Sequence, residues 1–237
     1  MLVALAMLAG CAGGKKAELV NNPSASAEAE IPRDSLRAKF VLTLTEKDGK
    51  TQSLDAVLFS VPGKRYRMEL TGPMGIGVAS MLWTEEGWTM VFPTEKLYMK
   101  GNGYMVGLLS NMSLPLVHIH QVANLFDGKL LPEKFEIEEE RDQVFYAREK
   151  TGRAFSFAKK DSTVEWLSRM GRDGKPETLQ FLEYRTFEGV MTPAKIIFQR
   201  DGQNYLEIKI KKVTRNKSFS LGTWRLKVPS SYSLLED

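Results

Sequence analysis

The sequence predicts a mainly β fold in which many short antiparallel strands form a sandwich or a barrel. From Ile31 onward, apolar and polar residues alternate in short runs, and this period of two is the pattern of a half-buried strand. Turn signals such as Asp173-Gly174 and Asp201-Gly202 separate the runs. Helical periodicity is confined to one central segment. We therefore predict a single β-domain over residues 31–237 with a helical insertion near 103–128.

The first predicted strands lie before the insertion. Apolar residues from Leu36 to Leu44 occupy every second position, and Lys47-Asp48-Gly49-Lys50 has the composition of a hairpin turn. Further strand-like runs follow near 51–60, 64–71, 77–84, 88–93 and 96–100.

The helical insertion has recognisable ends. Ser113 is a suitable N-cap, Pro115 fits the first turn, and Asp127-Gly128 ends the helix. A shorter helical piece is expected from Tyr104 to Leu109. Between the ends of the main helix, spacings of three and four place four apolar residues on one face: Leu116, Ile119, Ala123 and Phe126.

Strands resume after Pro132, and no internal repeat is visible. The second group of predicted strands lies near 134–141, 143–150, 153–159, 163–169, 177–186, 194–200 and 204–213.

The N-terminus has the pattern of a lipoprotein leader. Leu2 to Ala9 form an apolar core of signal-peptide length, and Leu8-Ala9-Gly10-Cys11 resembles the lipobox at which lipoprotein precursors are cleaved. Residues 1–10 are therefore predicted to be a signal peptide, and Cys11 is predicted to be lipidated. The basic residues expected before the apolar core are missing, which favours a start upstream of Met1.

Residues 11–30 are predicted to form the lipidated N-terminus and a flexible tether. The stretch from Ala12 to Glu30 is rich in Gly, Ser, Ala and Asn, a composition typical of linkers. In bacterial lipoproteins the residue after the cysteine helps to sort the protein between membranes. By that resemblance, Ala12 in place of Asp favours an outer-membrane location, with the domain facing the periplasm.

Composition excludes several classes of protein. With 33 Lys and Arg against 29 Asp and Glu, the formal net charge is +4. This mild basic bias suits an anionic membrane surface or an acidic partner protein, but it is too scattered to indicate nucleic acid. Cys11 is the only cysteine, so we expect neither a disulfide nor a cysteine-based metal site.

The residue pattern does not indicate catalysis, and we expect no enzyme activity, metal or cofactor. His118 and His120 project about 200° apart on a helix and cannot share a ligand. Glu138-Glu139-Glu140 alternate across a strand instead of converging. The glycine-rich stretch from Gly72 to Gly77 joins two strands and lacks the helix and the Lys-Ser/Thr pair of a phosphate loop.

The apolar residues instead form one face on each of several strands. Tyr66, Met68 and Leu70 share a face, and the same alternation gives further sets: Trp88, Met90 and Phe92; Phe155 and Phe157; Leu206, Ile208 and Ile210. Such faces belong either to a packed core or to a cavity that holds a ligand, since barrels of about eight strands can do both.

Three segments carry a resemblance to LolB-like outer-membrane lipoprotein receptors. Ser60 to Gly75 resembles the basic strand and proline-glycine turn of that family. Met112 to Leu116, with the helix that closes at Asp127-Gly128, is similar to its central helical lid. Thr192 to Gln203 is similar to its last hairpin. The likeness spans roughly residues 35–213, whereas the tail from Thr214 to Asp237 looks more like the closing segment of the related periplasmic carrier.

The resemblance implies a half-open antiparallel β-barrel of about eleven strands, with the helical insertion covering its mouth. Met74, with Ile76 beside it, would form a membrane-insertion loop. Arg65 and Arg67 would face an acidic carrier, lipid headgroups or simply solvent. The interior would hold acyl chains against these residues: Phe40, Leu42, Tyr66, Met68, Leu70, Trp88, Met90, Phe92, Ile119, Phe126, Phe155, Phe157, Ile208 and Ile210.

The function that the resemblance implies is lipoprotein localisation. The chain would accept acylated lipoproteins from a LolA-like periplasmic carrier and insert them into the outer membrane, with acyl chains and outer-membrane lipid as its other partners. The alternative is a scaffold or assembly lipoprotein with the same fold and a filled core, which binds protein partners only.

Overall fold

The structure is a computed structural model, and it describes residues 35–46, 48–102, 119–171 and 173–235. The predicted leader, Cys11, the tether and the helical positions 103–118 lie outside the described residues. Among the described residues, no helix is both long and apolar enough to cross a membrane.

In the described part of the chain, six strands precede the helix. They are β1 Leu36–Thr45, β2 Thr51–Val61, β3 Arg65–Thr71, β4 Gly77–Thr84, β5 Gly87–Phe92 and β6 Leu97–Gly101. The helix, α1, covers Ile119–Phe126, and seven long strands follow it: β7 Phe135–Arg141, β8 Val144–Glu149, β9 Ala154–Lys160, β10 Thr163–Met170, β11 Pro176–Phe187, β12 Val190–Arg200 and β13 Gln203–Arg215. A two-residue strand, β14, Ser233–Leu234, lies in the tail.

All of these strands belong to one open sheet, in the order β14-β6-β5-β4-β3-β2-β1-β13-β12-β11-β10-β9-β8-β7. Neighbours in chain order form hairpins from β1 to β6 and from β7 to β13, β1 pairs antiparallel with β13, and β14 pairs parallel with β6. The prediction of a mainly β, half-open antiparallel barrel with a short helix is confirmed.

The number of strands differs from the eleven or so that the resemblance implied. The described part of the chain has fourteen strands. Thirteen of them correspond to the predicted period-two runs. β4 has the predicted bounds, whereas β12 begins at Val190, four residues before the predicted run. The fourteenth, β14, is two residues long and forms only by pairing with Leu97 and Tyr98 of β6, so no local pattern marks it.

One face of the sheet carries the hydrophobic core, and α1 lies against it. Val122, Ala123, Leu125 and Phe126 of α1 are buried in the same apolar cluster as the inward residues of the strands. The Phe126 ring is tilted against that of Phe40, with the ring centroids 4.7 Å apart. Of the predicted apolar face, Ala123 and Phe126 are buried, and Leu116 and the side chain of Ile119 lie outside the described residues.

The helix ends where the sequence predicts, at Asp127-Gly128. The amide of Lys129 donates to the carbonyl of Asn124 (2.9 Å), and Gly128 has a φ of +72°. This is the left-handed C-cap that favours glycine. A Cβ at Gly128 would also lie 2.9 Å from the carbonyl oxygen of Met191, so glycine is needed for close packing as well.

A Gly128→Ala substitution is therefore expected to lower the free energy of unfolding by about 2 kcal/mol or more, since it adds a steric clash to the cost of left-handed backbone. Chemical denaturation monitored by circular dichroism measures the change. Gly152→Ala is the matched control, because Gly152 has a φ of +86° but nothing within 4 Å of its Cβ position. Equal losses in the two variants would mean that the contact with Met191 is unimportant.

The tail after β13 packs against the outer side of the sheet. Ser35 donates its hydroxyl to the carbonyl of Lys217 (2.7 Å), and the Phe219 ring meets Phe59 edge-on at 5.4 Å. The Arg65 guanidinium lies over the Trp224 ring, 4.5 Å from its centroid. The tail, which was predicted to resemble the closing segment of the periplasmic carrier, thus covers part of the outer face of the sheet.

Arg67 is the main polar anchor of this tail. Its Nη1 donates to the carbonyls of Thr223 and Arg225 at 2.9 Å each, and its Nη2 pairs with Glu69 at 2.7 Å. The side chain of Arg67 is only 15% exposed. The expectation that Arg65 and Arg67 face a carrier, lipid headgroups or solvent is therefore wrong for this structure, because the tail of the same chain contacts both side chains.

An Arg67→Met substitution is expected to loosen the tail and to lower the free energy of unfolding by about 1.5–3 kcal/mol, the range for hydrogen bonds to charged groups. Limited proteolysis with chymotrypsin, which cuts after aromatic residues, should then cleave at Phe219 and Trp224 sooner. Arg185→Met, at a position where the side chain is 67% exposed, is the control. Unchanged cleavage in Arg67→Met would show that Arg67 does not hold the tail.

Candidate functional site

The residues predicted to line an acyl cavity lie together on the inner face of the sheet. Trp88 and Phe92 are half-buried and pack against the main cluster, and the side chain of Ile119 lies outside the described residues. The remaining eleven are buried in one continuous cluster: Phe40, Leu42, Tyr66, Met68, Leu70, Met90, Phe126, Phe155, Phe157, Ile208 and Ile210.

These side chains pack against each other. Phe145 stacks on Phe157 with the ring centroids 5.0 Å apart, and Phe135 meets Phe155 edge-on at 5.4 Å. In the other half of the sheet, the rings of Tyr66 and Trp83 are tilted against each other, with their centroids 5.4 Å apart. Most of the predicted residues therefore form a packed core in this structure. Their role in binding acyl chains stays a prediction.

A cavity of about 280 Å³ lies beside this core. It is bounded by the segment 129–133, which follows α1, and by the inner face of strands β8 to β13. Of the predicted residues whose side chains the structure describes, Phe155 alone lines it. The other apolar walls come from Leu125, Leu130, Leu131, Pro132, Leu167, Leu179 and Phe198.

The cavity also has a polar side. Arg169 and Glu177 form an ion pair there, with Nε and Oε2 3.4 Å apart. Tyr205 lines the same side, and its burial, together with Glu177, raises the pKa of its hydroxyl above the usual value. The phenol of Tyr205 is therefore protonated at neutral pH and can donate a hydrogen bond. The arrangement suits a ligand that is mostly apolar and has a polar end.

A second tyrosine, Tyr184, joins β11 to β10. Burial raises the pKa of Tyr184 to about 12, and its hydroxyl donates to the carbonyl of Val164 at 2.5 Å. Because this phenol also stays protonated at neutral pH, the bond between β11 and β10 is maintained over the physiological range.

Sequence reasoning missed Leu167, Leu179 and Phe198 as cavity residues. Each lies in a predicted strand, and period-two alternation already places each on an apolar face. No local signal says which part of a long sheet the helix leaves uncovered. That depends on where the segment 129–133 lies.

The turn between β3 and β4 presents apolar side chains to solvent. Met74 is 93% exposed and Ile76 is 54% exposed. Gly72 and Ile76 close the turn through a hydrogen bond from the amide of Gly72 to the carbonyl of Ile76 (2.8 Å). Met74 has a φ of +59°, a left-handed conformation that costs a residue with a Cβ about 1–2 kcal/mol. The exposed side chain gains no packing within the domain that offsets this cost.

The cavity and the Met74 turn lie toward the same end of the sheet. Neighbouring long strands are antiparallel throughout, so alternate turns lie at the same end. The turn at 72–76 therefore lies at the end that also holds the turns at 171–175 and 201–202. Arg169 and Tyr205, on the polar side of the cavity, stand within a few residues of those two turns.

The acidic residues singled out in the sequence do not converge. Glu138, Glu139 and Glu140 are exposed on β7, where Glu138 pairs with Arg148 at 2.6 Å and Glu139 pairs with Arg141. In the part of the chain that the structure describes, no group of three or more His, Cys, Asp or Glu side chains could hold a metal ion. His118 and the side chain of His120 lie outside that part.

Comparison with known proteins places the fold. No family model and no curated protein matches the sequence. Among solved structures, a LolA superfamily protein from Nitrosomonas europaea is similar, with a TM-score of 0.55, 12% identity and coverage of 84% of this chain and 93% of that one. A DUF1329 family protein from Desulfovibrio piger gives a TM-score of 0.56, 13% identity and coverage of 84% and 92%. A putative outer membrane lipoprotein-sorting protein domain from Vibrio parahaemolyticus gives a TM-score of 0.52 and 11% identity, with coverage of 84% of this chain and 92% of that one.

Proposed function

We propose that this chain, which has the LolA/LolB-type fold, is an outer-membrane lipoprotein that accepts acylated lipoproteins from a periplasmic LolA-like carrier and inserts them into the outer membrane. Cys11 would carry its lipid anchor, and the domain would face the periplasm. The observation that carries the proposal is the position of the exposed Met74 turn at the same end of the sheet as the cavity.

The physical need for such a protein follows from the cargo. Each CH₂ group that enters water costs about 0.8 kcal/mol, so free transit of a triacylated protein would cost tens of kcal/mol. Chains must therefore pass from one apolar interior to another and then into the bilayer. A sheet with one apolar face, and an exposed apolar turn at one end of it, would provide both steps.

The cavity must enlarge to take whole acyl chains. At about 280 Å³ it is slightly smaller than typical pockets for small ligands, which begin at roughly 300 Å³. The elements that could move are α1 and the segment 129–133, because the core lies beneath them. Displacing α1 would expose Phe126, and with it the apolar cluster around Phe40.

Arg215 holds the end of this helix to the sheet. Its Nη2 donates to the carbonyl of Phe126 (2.8 Å), and its Nη1 forms an ion pair with Asp127. The backbone amide of Arg215 donates to Glu188. The two guanidinium contacts join the end of α1 to β13, so a displacement of α1 would have to break them as well as the packing of Phe126 in the core.

The experiment that tests the proposal follows a labelled lipoprotein. A periplasmic carrier is loaded with it, the Cys11→Ala form of this chain is added, and the distribution of the label is measured with and without liposomes. We expect the label to move onto this chain and then to liposomes. If it stays with the carrier, the receptor function is excluded.

A second function is favoured by the tight packing of the predicted cavity residues. Phe40, Phe126 and Phe157 are 2% exposed or less, as in an ordinary filled core. A scaffold or assembly lipoprotein with this fold would bind protein partners and no acyl chain. Uptake of a fluorescent fatty acid by the Cys11→Ala form separates the two functions, because a scaffold should not bind the probe.

A further inference from the structure

The outer face of the sheet is strongly basic where β1 and β13 pair. Lys39 lies directly opposite Lys212, and Lys209 lies opposite Val41 on one side and Lys195 on the other. Inward positions on these strands, such as Phe40 and Ile208, are buried, so the lysines point outward. We call the exposed side chains here the basic face: Arg37, Lys39, Lys209, Lys211 and Lys212.

Little within the domain neutralises this charge. None of the four lysines of the basic face forms an ion pair with another described residue, whereas the neighbouring Lys195 is paired with Glu207 at 3.1 Å. Arg37 lies over the Phe59 ring, 5.3 Å from its centroid. Of the acidic residues on the same strands, Glu207 is paired with Lys195 and Asp55 lies opposite Val41. Like charges directly opposite each other destabilise a sheet. The repulsion between Lys39 and Lys212 therefore destabilises the isolated domain, and a bound anion would relieve it.

The composition of the basic face favours a lipid surface over a protein. Interfaces between proteins are enriched in aromatic residues, Met and Arg at their centres and are depleted in Lys. Here four of the five charges are lysines, and the outward neighbours Val41 and Val57 are half-buried side chains of the sheet. Lysines spread over a sheet face suit the diffuse attraction of anionic headgroups, which is about 1 kcal/mol per residue near the surface.

We propose that the basic face docks on anionic phospholipid, as a membrane contact separate from the Met74 turn. It acts through charge, whereas the turn would act through apolar insertion. This contact goes beyond the proposed function, because it requires neither the cavity nor a lipoprotein cargo. Near the membrane it would bias which side of the domain faces the lipid.

The test is co-sedimentation of the Cys11→Ala chain with two kinds of vesicle, one of phosphatidylcholine alone and one that also contains phosphatidylglycerol. We expect tighter binding to the anionic vesicles, and we expect this excess to disappear at about 1 M salt, where the Debye length is about 3 Å. The triple substitution Lys39→Gln, Lys209→Gln and Lys212→Gln should reduce the affinity for anionic vesicles about 100-fold, because each lysine contributes about 1 kcal/mol.

The matched control is Lys134→Gln, Lys150→Gln and Lys160→Gln, which removes the same net charge from exposed positions in the other half of the sheet. It should keep most of the binding to anionic vesicles. Equal losses in the two triple variants, or equal binding to both kinds of vesicle, would overturn the proposal. So would a basic-face variant that binds vesicles normally but loses binding to an acidic protein. Acyl-probe uptake, measured in parallel, reports on the proposed function and should not change.

Discussion

A Met74→Glu substitution is expected to slow the release of acyl chains into liposomes by about tenfold or more, without changing folding or uptake. Met74 is 93% exposed, so no packing within the domain depends on its side chain. Burial of a methionine side chain in lipid contributes roughly 1.5–3 kcal/mol. A carboxylate in its place would lose this contribution and would resist transfer out of water.

The measurement is the rate at which a labelled acyl ligand leaves the preloaded Cys11→Ala form for liposomes. Met191→Glu is the control, because Met191 is also largely exposed but lies in β12 near the opposite end of the sheet. Similar slowing in both variants would mean that the added charge matters and its position does not. Unchanged release in Met74→Glu would remove Met74 from the mechanism.

A Leu179→Trp substitution is expected to reduce the affinity for an acyl probe about 50-fold. Leu179 is half-buried and lines the cavity, so a larger side chain would occupy space that an acyl chain needs. Exclusion of about three CH₂ groups, at about 0.8 kcal/mol each, corresponds to this factor. The cavity is small enough that one indole ring would fill much of it.

Fluorescence titration of the probe measures this change. The control is Leu182→Trp on the same strand, where the leucine is exposed and does not line the cavity. Thermal unfolding of both variants shows whether the domain remains folded. Full uptake by Leu179→Trp would mean that acyl chains enter elsewhere. No uptake by the unsubstituted domain would favour the scaffold function.

The strands were predictable because most of them bury one side only. Alternation from Leu36 to Leu44 placed β1, and the glycine turns at 49, 174 and 202 separated the hairpins where the structure has them. The end of α1 was predictable for a similar reason. Gly128 is a local signal, since a left-handed cap favours glycine whatever lies around it.

The tail shows the opposite case. Phe219 and Trp224 contact Phe59 and Arg65, which lie more than 150 positions earlier in the chain. The alternating pattern of β3 gave Arg65 and Arg67 an outward direction, and that direction was right. It could not show that another segment of the same chain would cover them. Their partners followed only from the path of the tail after β13.

The same distinction separates core from cavity. By itself, the sequence determined which side chains share the apolar face, from Phe40 on β1 to Ile210 on β13, because the alternation of a strand is local. Only the tertiary structure decided that most of them pack tightly, and that the open space lies beside Leu167, Leu179 and Phe198. An apolar side chain leaves water in the same way in either place, so the hydrophobic pattern is identical. What differs is whether α1 and the segment 129–133 lie against it, and that is set by contacts far apart in the chain.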